Sequence, residues 1–137
     1  MPWLTTNAGT PIRTKVNLSK AISDYNDAIR LDPRAALAYY NRGLLYAQKR
    51  NYDKAISDYN EAIRLDPDYA PAYVGRGYAY DDKGEFDKAI SDYNEAIRLD
   101  PNYALAYKNR GFTHLRAGDR NKANADFATA KRLNAGQ

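Results

Sequence analysis

The sequence predicts an all-α solenoid of stacked, antiparallel helix pairs, on three observations. The stretch Asp53 to Pro67, DKAISDYNEAIRLDP, returns unchanged as Asp87 to Pro101, with looser copies at Lys20 to Pro33 and Lys122 to Asn134, 34 residues apart each time. A fixed period of this length belongs to units that cannot bury an apolar face alone and must stack. Within each copy apolar residues recur three and four apart, as on one face of a helix. The first three copies close on Asp-Pro, and the residue before a proline is pushed out of the helical region.

At 137 residues and 44% hydrophobic the chain can bury a core if its elements stack. Its 13 tyrosines suit interfaces, each offering an apolar ring and a polar tip. The absence of cysteine excludes disulfides and thiolate metal sites, and a single histidine, His114, removes most histidine-based catalysis and zinc chemistry. The net charge of +4 comes from interleaved signs, the pattern of a solvated helical surface, whereas nucleic-acid binders concentrate Lys and Arg on one face. No apolar run approaches the roughly 18 residues of a membrane span. Pro2, Pro11 and the lack of an amphipathic pattern argue against a transit peptide, so a soluble cytoplasmic protein is expected.

Taken in order, residues 1–16 carry Pro, Gly and Thr at close spacing and read as irregular, with Trp3, Leu4, Ile12 and Val16 free to pack. Asn17 is expected to cap a helix whose stripe is Leu18, Ala21, Ile22, Tyr25, Ala28, Ile29 and Leu31, stopped at Asp32-Pro33. This half unit, 17–35, precedes three full units, 36–69, 70–103 and 104–137. In the first, one helix holds Tyr39, Gly43 and Tyr46, a turn falls at Lys49 to Asn51, and a second helix holds Tyr52, Ala55, Ile56, Tyr59, Ala62, Ile63 and Leu65. Glycine inside a helix costs about 1 kcal/mol relative to alanine. Its return at Gly77 and Gly111 therefore needs a reason, and close crossing of the paired helix supplies one.

Tyr39-Tyr40-Asn41-Arg42-Gly43-Leu44-Leu45-Tyr46, then Ala55, Tyr59, Ala62 and Pro67, resemble the tetratricopeptide-repeat signature, with Tyr39 in place of its tryptophan. The next unit matches through Tyr73, Gly77, Tyr80, Ala89, Tyr93, Ala96 and Pro101, and the third through Tyr107, Gly111, Ala123, Phe127 and Ala130. The resemblance covers roughly residues 18–134. It implies a right-handed superhelical solenoid that binds peptides or partner proteins, without catalysis or cofactor.

The two ends differ from the middle. Asn124 and Lys131 stand where the inner copies have isoleucine, so the last helix is expected to present a polar outer face that needs no following unit. At the other end the first helix lacks a partner of clear helical period. Its residues Ala21, Ile22, Tyr25, Ala28 and Ile29 are expected to be covered by residues 1–16 or by a second copy, most simply in a two-fold homodimer.

Arg42, Arg76 and Arg110 precede the repeat glycines, while Asp24, Asp58, Asp92 and Asp126 recur in the second helices. A basic ladder for phosphate is one reading. The better one is that each arginine pairs with an aspartate of an adjacent helix and ties neighbouring units together, because the guanidinium fork suits partly buried carboxylates. RNA binding through these residues is therefore not expected.

The resemblance implies a concave ligand face formed by the first helix of each pair. On that basis the face comprises Leu37, Tyr40, Asn41, Leu44 and Gln48, then Val74, Gly75, Tyr78, Asp81 and Asp82, then Leu105, Lys108, Asn109, Phe112 and Arg116. Tyr40, Tyr78 and Phe112 would anchor a peptide, Asn41 and Asn109 would bond its backbone, and Gly75 would leave a gap for a bulky ligand side chain. Co-chaperone members of the family hold the C-terminal carboxylate of heat-shock chaperones with lysine, asparagine and arginine. Tyr40, Leu44, Gly75, Leu105 and Asn109 occupy those places here, so no such clamp is expected. Neither Asp81-Asp82, whose side chains point about 100° apart on a helix, nor the lone His114 makes a catalytic constellation, and no glycine-rich phosphate loop exists.

Overall fold

The computed structural model describes residues 15–136, which form α1 (Lys15–Leu31), α2 (Ala36–Gln48), α3 (Tyr52–Leu65), α4 (Ala70–Asp82), α5 (Phe86–Leu99), α6 (Ala104–Arg116) and α7 (Arg120–Ala135). Helix α1 stands as a half unit before the pairs α2/α3, α4/α5 and α6/α7. Consecutive helices pack on one another, and α4 also touches both α2 and α6, so the first helices form a continuous row. The expectation for residues 1–14 falls outside the described residues. Helix α1 opens at Lys15, so Asn17 is its third residue and not its cap; nothing at Lys15 or Val16 breaks a helix.

Small residues set the packing distance. Ala55, Ala62, Ala72, Ala79, Ala89, Ala96, Ala106 and Ala123 are fully buried, and between them lie the large rings of Tyr59 and Tyr93. A Cβ added at Gly43, Gly77 or Gly111 would stand 2.8, 2.8 and 2.7 Å from a ring carbon of Tyr59, Tyr93 and Phe127 respectively. The repeat glycines therefore permit the close crossing that the sequence suggested, and the space they leave is taken by the aromatic residue of the paired helix.

The Arg–Asp ladder is structural, and it has a third member that the sequence reading missed. Arg42 donates from Nε and Nη2 to Asp58 at 2.8 and 2.7 Å, and from Nη1 to Asn26 of the preceding unit at 2.8 Å. Arg76 holds Asp92 and Asn60, and Arg110 holds Asp126 and Asn94, in the same geometry. Each aspartate lies in the arginine's own pair, and the asparagine makes the tie across units. Every guanidinium also lies over the ring of Tyr39, Tyr73 or Tyr107. Those tyrosines donate their hydroxyls to the carbonyls of Pro33, Pro67 and Pro101, fastening the turn between units.

Inside each pair the turn is a Schellman motif. In the first, Asn51 N–H donates to Tyr46 O and Arg50 N–H to Ala47 O, both at 2.9 Å. This motif needs a left-handed residue after the helix end, usually glycine. Gly84 (φ 80°) and Gly118 (φ 93°) meet the requirement, but the first turn places Arg50 there at φ 60°. A non-glycine residue in this conformation costs roughly 1 kcal/mol. Arg50→Gly should therefore stabilise the fold by about 0.5–1 kcal/mol, once the freer unfolded chain is allowed for. Urea unfolding followed by circular dichroism measures it, and an unchanged midpoint would show the turn to be unstrained.

The far end is polar where expected: Asn124 and Lys131 of α7 are exposed. Helix α6 beside it is less so, with Phe112 at 45% and Leu115 at 43% exposure, so only α7 of this edge is suited to face solvent.

Candidate functional site

Helical spacing on α2, α4 and α6 turns residues three, four and seven apart toward one side, and there the row of first helices opens into a groove of about 840 Å³. Tyr40, Leu44, Ala47 and Gln48 of α2, Val74, Gly75, Tyr78 and Asp82 of α4, and Leu105, Asn109 and Arg116 of α6 line it. Arg50 enters from the turn after α2, Tyr52 and Tyr59 from α3, and Tyr103 from the turn before α6.

Ten of the fifteen residues assigned to the ligand face thus come together: Tyr40, Leu44, Gln48, Val74, Gly75, Tyr78, Asp82, Leu105, Asn109 and Arg116. Val74 is only 5% exposed and closes the floor, packed with Ala70, Ala89, Tyr93, Ala96 and Ala106. Tyr78 is half exposed and stands free at the centre. Tyr40 packs edge-on against Tyr69, with ring centroids 5.2 Å apart, and tilted against Tyr59 at 5.9 Å. Burial, reinforced by Tyr103 and Tyr69, pushes its hydroxyl up to about 12, so the groove keeps a neutral donor there at any physiological pH.

Leu37, Asn41, Asp81, Lys108 and Phe112 are not among the lining residues, and Leu37 is exposed. Asn41 is one helical step away from Tyr40 and half-buried. Phe112 turns to α7, where its ring meets Phe127 edge-on at 4.9 Å, and Lys108 is exposed on the same helix. Asp81 is buried beneath Arg116, which donates to its Oδ2 at 2.6 Å and lies 3.5 Å from Asp82. Burial nonetheless holds the Asp81 carboxyl above its usual range. Its other oxygen is buried with Thr113 Oγ1 and Tyr93 OH, where Thr113 interacts with both but no well-formed hydrogen bond is made among the described residues.

The gap expected at Gly75 is not open along its missing side chain. Tyr59 Cζ lies 2.8 Å from where a Cβ would stand, so the preceding unit already fills that space. The sequence reading missed Ala47, Arg50, Tyr52, Tyr59 and Tyr103. Tyr59 sits in the unchanged repeat and looks like stacking material; only the neighbouring glycine, Gly75, hints that its ring reaches the groove. Arg50 is signalled by contrast with Gly84 and Gly118 one and two periods later.

On the proposed self-association edge, Ile22 is buried with Leu18 and Leu45, and Ala21 and Tyr25 pack on that cluster. Ala28 is exposed and Ile29 half-buried. His114 is buried on α6, with Nε2 3.8 Å from the Asp126 carboxylate that Arg110 holds. Among the described residues no group of three His, Cys, Asp or Glu side chains is arranged to hold a metal, and no helix is long and apolar enough to cross a membrane.

The profile described as TPR repeat matches residues 17–50 and 77–118, and two described as tetratricopeptide repeat match residues 36–69 and 58–91. No curated protein sequence matches the chain. Among solved structures, one of MamA is 32% identical with a TM-score of 0.81, over 88% of this chain and 70% of that one. A second MamA structure is 33% identical with a TM-score of 0.77, over 85% of this chain and 63% of that one. The first repeat domain of Spaghetti (RPAP3), bound to the HSP90 peptide SRMEEVD, is 28% identical with a TM-score of 0.72, over 77% and 84% of the two chains.

Proposed function

This chain belongs to the tetratricopeptide-repeat family, and from that premise we propose that it is a non-catalytic scaffold that holds a peptide of a partner protein in the α2/α4/α6 groove. The observation that carries the reading is the open groove itself, walled by aromatic rings and with Tyr78 half exposed at its centre. An aromatic ring held on a rigid helix gives large contact area at little entropic cost, the property of interface hot spots. Asn109 adds an amide that both donates and accepts, suited to the backbone of an extended segment.

The peptide of the Spaghetti (RPAP3) structure supports the mode of binding but is not carried over as the ligand. Tyr40, Leu44, Gly75, Leu105 and Asn109 still occupy the places of the family's carboxylate clamp, so apolar contact takes the place of lysine. Self-association through α1 draws less support, because Ile22, at the centre of its stripe, is already covered within the chain.

Capture from a random peptide library, repeated with Tyr78→Ala, tests the groove. Captured peptides should bind the variant at least tenfold more weakly, as for loss of an interface hot spot. The thermal midpoint should barely move, since half of the ring is in solvent. If every captured peptide binds the variant as before, the groove is not the site.

A further inference from the structure

We infer that Arg50 is the anion-reading residue of this groove and that the peptide held there presents an Asp or Glu side chain to it. The inference rests on the groove reading and names the chemistry of its ligand.

The three turns within pairs share one backbone, and only one of them carries a side chain at the left-handed position. At Gly84 and Gly118 a Cβ would meet nothing within 4 Å, so the surroundings leave room for any residue and the backbone alone favours glycine. Arginine is a poor choice on that ground, with neither the freedom of glycine nor the short polar side chain of Asn or Asp. A residue held in a sparsely populated conformation points to a role its side chain fills. The turn that accepts the cost is the one whose side chain reaches the groove. Arg50 lines both the groove and an adjoining hollow of about 430 Å³ that it shares with Asn51, Tyr52, Asp53 and Lys83.

Charge then selects the ligand. The other arginines on helices flanking the groove are satisfied within the chain: Arg116 by Asp81 and Asp82, and Arg42, Arg76 and Arg110 by Asp58, Asp92 and Asp126. Lys83 beside the hollow is held by Asp53 at 2.7 Å, with Glu85 at 3.7 Å. Among the described residues no carboxylate lies within 4 Å of the Arg50 guanidinium. Its fork of donors is thus free, and a carboxylate accepts two of them in parallel. One free guanidinium in a groove lined by five tyrosines, with the carboxylate of Asp82 already held by Arg116, suits a single acidic side chain flanked by apolar contacts. A polyanion would need several cations to draw on counterion release.

The test uses short, acetylated and amidated peptides from a positional-scanning library, so that carboxylates come only from Asp and Glu. Wild type, Arg50→Gly, Arg50→Gln and Tyr78→Ala are compared at low and high salt. At one position the wild type should prefer Glu or Asp over the matching amide by roughly fivefold to tenfold, less at high salt. Both Arg50 variants should lose that preference and keep the apolar selection at other positions. Arg50→Gly should do so while unfolding at higher urea than wild type, which separates loss of binding from loss of fold. Acidic preference that is absent from the wild type, or survives in either Arg50 variant, overturns the inference while binding that depends on Tyr78 keeps the groove. Binding insensitive to Tyr78→Ala removes the groove reading, and this one with it.

Discussion

Arg76→Leu is expected to cost the fold about 2–3 kcal/mol, somewhat below the roughly 3–5 kcal/mol for breaking a fully buried pair. Arg76 is 22% and Asp92 7% exposed at the side chain, so the loss is discounted for solvent at the guanidinium but hardly at the carboxylate. Leucine fills much of the volume and leaves the Asp92 charge without the two bonds, at 2.9 and 2.7 Å, that offset its burial. Asn60 loses its donor at the same time, so the tie between the first and second units goes with the ion pair. Even with Arg76 present, burial holds the Asp92 carboxyl above its value of 3.8, and without the arginine it should rise further. A carboxyl raised in the folded state favours folding when protonated. That contribution is complete below about pH 3.8 and lost as pH rises through the raised folded value. The deficit of Arg76→Leu should therefore be largest at neutral pH and shrink on acidification. Asp92→Asn in the same chain should recover at least half of it, because it removes the unpaired charge and keeps the shape. Urea unfolding of the two single variants and the double gives the coupling. The affinity of a groove peptide should stay within a factor of two or so, since the pair lies outside the groove lining; a large loss of affinity with unchanged stability would make the ladder a ligand site after all.

The repeat, the helices, their Asp-Pro stops and the close crossings at the repeat glycines were legible because each is written in one short-range pattern and then copied. The Arg–Asp pairing was legible for the same reason: two ladders of opposite sign share one period. Its asparagine member was not, because Asn26, Asn60 and Asn94 are exposed in sequence terms and acquire a partner only when units stack. The groove was legible in part. Residues on the first helices could be assigned by helical phase, which succeeds for Tyr40, Leu44 and Tyr78 and fails for Phe112, pulled toward Phe127 by packing across its own pair. Asp81 failed for a related reason, since Arg116 from the next unit reaches back and buries it. Contributions from turns and second helices, Arg50, Tyr52, Tyr59 and Tyr103, depend on how far one unit leans over the next. That lean is set by side-chain volumes at the crossings, which no periodicity encodes.

Gly77 shows how tightly those volumes are set, and replacing it should bring a second large loss. Helix propensity alone predicts that Gly77→Ala in mid-α4 stabilises the protein by about 1 kcal/mol. The crossing predicts the opposite. The new methyl would stand 2.8 Å from Cε1 of Tyr93, closer than real Cβ atoms come, and 3.0 Å from Cζ and 3.1 Å from Cδ1, tighter than most. The ring cannot swing clear, because Tyr93 has no exposed surface and packs among Val74, Ala89, Ala96 and Ala106. Overpacking of this kind costs about 1–3 kcal/mol. Gly77→Ala is therefore expected to be net destabilising and Gly77→Val more so, by about 3 kcal/mol or more as the branched side chain adds strain. Tyr93→Leu, itself costly, should make the Gly77→Ala change neutral or favourable, because the smaller side chain frees the crossing. A Gly77→Ala variant more stable than wild type would mean that the ring yields and the glycine is not a packing requirement. The substitution should also reach the groove without touching it. The helix that would be displaced carries Val74, Gly75, Tyr78 and Asp82, so peptide affinity should fall in Gly77→Ala although no contact residue has changed. The glycine thus links the repeated outer helix to the variable inner one. The aromatic that the repeat copies in every unit sets the height at which each unit presents its own ligand residues.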